Sequence, residues 1–244
     1  MNIISALKDS LRANGGGNWI RSAFWSLVIV LIAQQIAPRL VPFGVFDLWQ
    51  TSGDYHQWLK TSTYVLLWGG GVTLLFSVFS RNTRAENRAA ESDFIKGFFI
   101  SVWAGVAEEI CFRWLIFIGA IPVLAILNWI FFGFAGLGLI ELLQVHILGP
   151  IANWATLGLL ERYIDNPANW LIGAALMSSN SMFRNGHRYL GWFGFIKSWF
   201  IGMFMFYLLF KYGLVACIVV HFVYDLLIFF VRYVDKFIER SFGG

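Results

Sequence analysis

The chain has 244 residues, 58% of them hydrophobic and 18% aromatic, against only 13% charged. So little charge cannot cover a water-facing surface of this size, which excludes an ordinary soluble domain and points to an all-α, polytopic integral membrane helical bundle. The formal net charge of +4 comes from Lys and Arg set in short loops between apolar runs; that placement follows the positive-inside rule rather than a basic stripe, so no nucleic-acid partner is expected.

The N-terminal segment 1–18 sets Ile3, Ile4, Leu7 and Leu11 on one helical face and Lys8 and Arg12 elsewhere, before a breaker at Gly15-Gly16-Gly17. This suits an amphipathic helix in the membrane interface better than a cleavable signal peptide. A first span is expected from about Trp19 to Ile36, with Pro38-Arg39 as its stop, close to the roughly 20 residues a helix needs to cross a bilayer. Leu40 to Lys60 mixes Pro42, Asp47, Asp54 and His56 with aromatics and reads as a loop or re-entrant interfacial segment, His56 being structural. A second span runs from about Trp58 to Phe79. The charged stretch Arg81 to Asp93, with Arg81, Arg84, Arg88, Glu86 and Glu91, marks a cytoplasmic loop that closes the region 19–93.

The remainder, 94–244, is expected to form the membrane core. A third span, about Ile95 to Gly119, is apolar except for Glu108, Glu109 and Arg113. From Ile121 to Leu160 the apolar run is broken by Gly133, Gly136, Gly138, Glu141, His146 and Gly149-Pro150, which reads as two spans or as one span plus a re-entrant piece. Three more spans follow near Trp170 to His187, Ile196 to Phe210 and Leu214 to Val231. About eight transmembrane helices would place the basic tail Arg232, Lys236 and Arg240 on the same side as Lys8, Arg12 and Arg21, whereas seven would not. The expected setting is therefore a cell membrane, crossed many times, with both termini cytoplasmic. No repeat of fixed period is visible.

Ionisable side chains within spans cost roughly 2.5–3.5 kcal/mol each at a helix centre on insertion scales, so they face cavities or partners. Glu109 and Arg113 are four apart and lie on one helical face as an ion pair. Glu108 is turned by about 100° from Glu109 if the helix is α, so one carboxylate is neutralised while the other stays available. Phe183 and His187 are also four apart, as are His221 and Asp225 in the last span. A carboxylate in a water-poor cavity holds a proton more readily than one in water, which suits Glu108 to take a proton from a water molecule. His187 could share that proton or hold the water, and His221 could donate to an oxyanion as a peptide carbonyl becomes tetrahedral.

Glu-Glu-x-x-x-Arg (Glu108, Glu109, Arg113), Phe-x-x-x-His (Phe183, His187) and His-x-x-x-Asp (His221, Asp225), in that order on separate hydrophobic helices, resemble the CPBP family. That family comprises intramembrane proteases, including CAAX prenyl proteases and bacteriocin-processing or Abi membrane proteins. The resemblance covers about Phe94 to Val231. It implies an endopeptidase acting on a membrane-associated protein or peptide substrate. Glu108 would activate water with His187, and His221 with Asp225 would serve the oxyanion or orient its partner. Glu109, Arg113 and Phe183 would support them. The chain departs from the family in two places. The gap from Glu109 to His187 is long, as if a hydrophobic hairpin were inserted near 121–162. Asp225 stands where the prenyl proteases carry Asn, and an ionised aspartate would repel an oxyanion; it is protonated, orients His221, or helps hold a metal.

Other readings stand beside this one. The Glu109–Arg113 pair is as well explained by structure as by catalysis, and either histidine alone would pass as a core residue. Glu108, His187 and His221 could supply three zinc ligands, but no HExxH helix is present and the family resemblance favours a mechanism without cofactor. Cys111 and Cys217 fall in apolar runs and form no disulfide framework; Cys111 is expected to be inert. Glu141 with His146 is a second polar pair near a span end, where headgroups explain it. A non-catalytic immunity or interaction protein of the same fold is the main alternative, and a proton-relaying transporter is a third.

Overall fold

The computed structural model describes residues 16–79 and 94–242; residues 1–15 of the interfacial segment and the charged loop Arg81 to Asp93 lie outside them. The described residues form helices and turns, with no strand among them. In chain order these are α1 (Gly16–Ile36), α2 (Tyr55–Phe79), α3 (Phe94–Glu108), a π-helical segment (Glu109–Ile116) and α4 (Phe117–Ile130). Then come α5 (Leu139–Leu143), a second π-helical segment (Gln144–Leu148), α6 (Gly149–Ala155), α7 (Glu161–Ile164), α8 (Trp170–Gly186), α9 (Gly191–Tyr212) and α10 (Leu214–Phe242).

Among the described residues, four stretches are long and apolar enough to cross a membrane: Trp19–Ile36, Gly97–Ile130, Arg188–Tyr212 and Leu214–Asp235. Together with a composition too poor in charge for a wetted surface, they support a membrane protein. Large apolar side chains such as Phe24, Leu31, Ile36 and Trp154 stand exposed, as lipid-facing residues do. The expected second span forms as α2, but its first turns carry His56, Lys60, Thr61, Ser62 and Thr63, and it is not among the four.

Three boundaries differ from those expected. Gly16 and Gly17 open α1 instead of breaking the chain before it. The third span does not end at Gly119, since helix continues through the buried Pro122 to Ile130. Proline is tolerated inside membrane helices because local adjustments re-satisfy the freed carbonyl. The stretch from Ile121 to Leu160 does not form two long helices. After Ile130 the chain turns through Phe132 in the left-handed region (φ 72°), and Leu139 N–H donates to the Phe131 carbonyl at 3.1 Å. Buried Asn128 braces this turn, accepting from Glu141 N–H at 2.9 Å. Glu141 is thus tied to Asn128, while His146 is exposed.

The described residues fall into two compact units, one from Met1–Ser52 with Glu108–Leu214, the other from Gly53–Ala107 with Val215–Gly244. In the first, α8 packs on α4 and α9, and α1 packs on α4 and the first π segment. Gly119 lets α1 come close, because a Cβ there would collide with Ser26. Buried Asn180 on α8 donates to the Trp199 carbonyl on α9 at 3.0 Å. Small residues and interhelical hydrogen bonds of this kind hold helices together where lipid removes the hydrophobic drive between them. In the second unit α10 lies against both α2 and α3. Gly105 sits beside the Phe222 backbone (3.1 Å to its nitrogen from a Cβ position).

Candidate functional site

Arg113 is among the largest fully buried side chains of the protein, at 0% exposure, and Glu109 is equally buried. Unpaired, either charge would be prohibitive in a low-dielectric interior, and the sequence supplies the remedy one turn away. Arg113 Nε lies 3.3 Å from Glu109 Oε2. The guanidinium also sits over the Phe183 ring, 4.0 Å from its centroid, and 5.7 Å from that of Phe206. A cation over an aromatic face is attracted by the ring quadrupole, the more so when desolvated. Arg113 therefore bonds electrostatically to its own segment and, through rings, to α8 and α9.

Glu109 and Arg113 stand on the π-helical segment, not on an α-helix as the spacing alone suggests. Such windings are rare and frequently occur at functional sites. Here a neighbour enters the ladder, since Ser179 Oγ on α8 donates to the Phe112 carbonyl. Insertion of a side chain is one recognised cause of local departure from α geometry.

Glu108, the last residue of α3, has its Oε2 atom 3.8 Å from His187 Nε2. The two side chains keep 11% and 17% of their surface exposed, whereas those of Glu109 and Arg113 keep none. His187 caps the C-terminus of α8, its N–H donating to the Arg184 carbonyl at 3.0 Å. Its Nδ1 lies 2.9 Å from the Phe183 carbonyl. A carbonyl only accepts, so Nδ1 donates its hydrogen there and Nε2 is the ring atom that faces Glu108. The gap of 3.8 Å is longer than a direct hydrogen bond, and a water bonded to both atoms would close it.

One face of α8 and its C-terminal cap thus carry three of these contacts. Ser179, Phe183 and His187, each four residues from the next, meet Phe112, Arg113 and Glu108 respectively. Ser179 and Phe206 were missed at the sequence level. The first was findable, lying one helical turn before Phe183 on the same face; nothing in the spacing marks Phe206.

In the second unit His221 Nε2 is 3.6 Å from Asp225 Oδ2, with the His221 side chain 5% and that of Asp225 24% exposed. Cys111 is half-buried and Cys217 buried, and neither is in a disulfide. No group of three His, Cys, Asp or Glu side chains placed to share a metal ion occurs among the described residues. No family model, no curated protein and no solved structure matches this chain.

Proposed function

We propose that the protein is an intramembrane endopeptidase, of the kind the CPBP-like motifs imply, hydrolysing a peptide bond in a membrane-associated protein or peptide. The observation that carries this reading is the approach of Glu108 Oε2 to within 3.8 Å of His187 Nε2, with the histidine tautomer set by the Phe183 carbonyl. A water held by both acceptors gives a proton to Glu108 as its oxygen attacks the scissile carbonyl. The same carboxyl then returns the proton to the leaving amine. His187 keeps that water aligned, because its other nitrogen is already committed. No step of this reaction passes through a metal.

The role given to His221, donation to the oxyanion with Asp225 orienting its ring, rests on the order of the motifs and on the 3.6 Å contact between the two. The topology in this reading is an eight-span, multi-pass cell-membrane protein with both termini cytoplasmic, supported by the placement of the basic residues.

The test compares peptides released by cells making the native protein with those from cells making Glu108→Gln at equal membrane abundance. Loss of specific products in the variant is expected. Identical peptide sets, with both proteins rescuing a deletion phenotype, would replace the protease with a non-catalytic partner of the same architecture.

A further inference from the structure

No Asp or Glu occurs between Asp165 and Asp225, yet Arg184 and Arg188 fall within that interval, four residues apart on either side of His187. Both guanidiniums lie over one ring on α9, that of Phe195, at 4.3 Å and 5.6 Å from its centroid. Arg184 makes one side-chain hydrogen bond, Nη2 to the neighbouring Asn185 Oδ1 at 3.3 Å, and its Nε is buried without an acceptor. Arg188 is exposed. Like charges at this spacing repel. The C-terminal end of α8 favours either cation separately, but does not account for two of them over one ring with no ion pair to a carboxylate among the described residues.

The surroundings indicate the missing charge. Tyr189 is 54% and Trp192 75% exposed in the turn that joins α8 to α9. Exposed Tyr and Trp at the end of an apolar helix mark the depth of lipid headgroups. Two guanidiniums at that depth, both over the Phe195 ring, can meet the oxygens of a phosphate by paired charge-assisted bonds.

We infer that Arg184 and Arg188, braced on Phe195, bind the phosphate of an anionic phospholipid beside the Glu108–His187 pair. A zwitterionic headgroup fits less well, because its ammonium would meet the same two cations.

Native mass spectrometry of the full chain, titrated in detergent with phosphatidylglycerol or phosphatidylcholine, tests this. One phosphatidylglycerol should be retained with about tenfold preference, since both lipids offer the same phosphodiester and only phosphatidylcholine brings an ammonium against the two cations. Arg184→Gln/Arg188→Gln should abolish the preference. Arg188→Gln alone, at an exposed position that the fold tolerates, should weaken it if the double variant does not fold. A preference that survives these changes would overturn the proposal. So would binding of inorganic phosphate alone with no preference between lipids, which would make a soluble phosphate the ligand. The readout needs no turnover, and Glu108→Gln should retain the lipid like the native chain, so the lipid site and the protease reading fail separately.

Discussion

Glu108 and Glu109 are neighbours in the chain and opposites in the structure. Glu109 is sealed, with its carboxylate against Arg113 at 3.3 Å and the pair fully removed from solvent. Glu108 keeps a fraction of its surface and faces a histidine nitrogen at 3.8 Å, beyond hydrogen-bonding distance. The first pair is closed off from solvent, and its value lies in fixing helices. The second is unfinished, two basic atoms aimed at a common point, and that is the condition for moving a proton. A single step along the backbone separates a sealed carboxylate from one that faces a histidine.

The contrast is broken most severely at Glu108. Glu108→Gln keeps size and polarity but cannot take a proton, so cleavage should fall by about 10²–10⁴-fold, the usual weight of a positioned base, at unchanged thermal stability. Peptide release against melting temperature in detergent separates the two quantities. Glu109→Gln should behave in the reverse sense. Stranding Arg113 in the interior is expected to cost about 3–5 kcal/mol of stability. Replacing both partners, as Glu109→Leu/Arg113→Met, should recover most of that loss, and unfolding by denaturant would reveal it.

Weaker changes sharpen the comparison. Phe183→Leu removes the ring beneath Arg113, a loss of about 2 kcal/mol at a desolvated site, and should lower activity too because His187 hangs from the same turn. Conversion of cleavage velocity into kcat and KM would show whether the histidine has shifted, by a fall in kcat with KM held. Ser179→Ala leaves the Phe112 carbonyl without its donor and is expected to cost about 1 kcal/mol, with activity nearly intact. A large activity loss in that variant would mean the π winding depends on this one bond.

The Glu109–Arg113 pair was legible in the sequence, because four-residue spacing constrains both side chains to one face whether the turn is α or slightly wider. The approach of Glu108 to His187 was legible only through the order of the motifs, since no local rule brings residue 187 beside residue 108. The winding of Glu109–Ile116 left no mark in the sequence. The bond that reaches it from Ser179 on α8 is a tertiary contact, which no local pattern encodes. The third span runs on past Gly119, because in an apolar setting Pro122 is carried within a helix that reaches Ile130. Exposed apolar residues between Phe131 and Leu160 obscured the short helices there, as uniform hydrophobicity erases the periodicity by which helix faces are recognised.

The wide winding at Glu109–Ile116 has a consequence for chain length. A π turn holds more residues than an α turn, so it stands in the protein like a stored insertion. Deleting a single residue inside it, such as Cys111, would let the segment relax toward α geometry without breaking the rod. The wider turn would take up most of the lost residue, so the helix on the far side would keep nearly the same face toward its neighbours, and Glu109 would stand three residues from Arg113 instead of four, a spacing that still shares one face. This segment would then absorb the loss of a codon that a plain α-helical stretch of the same core could not.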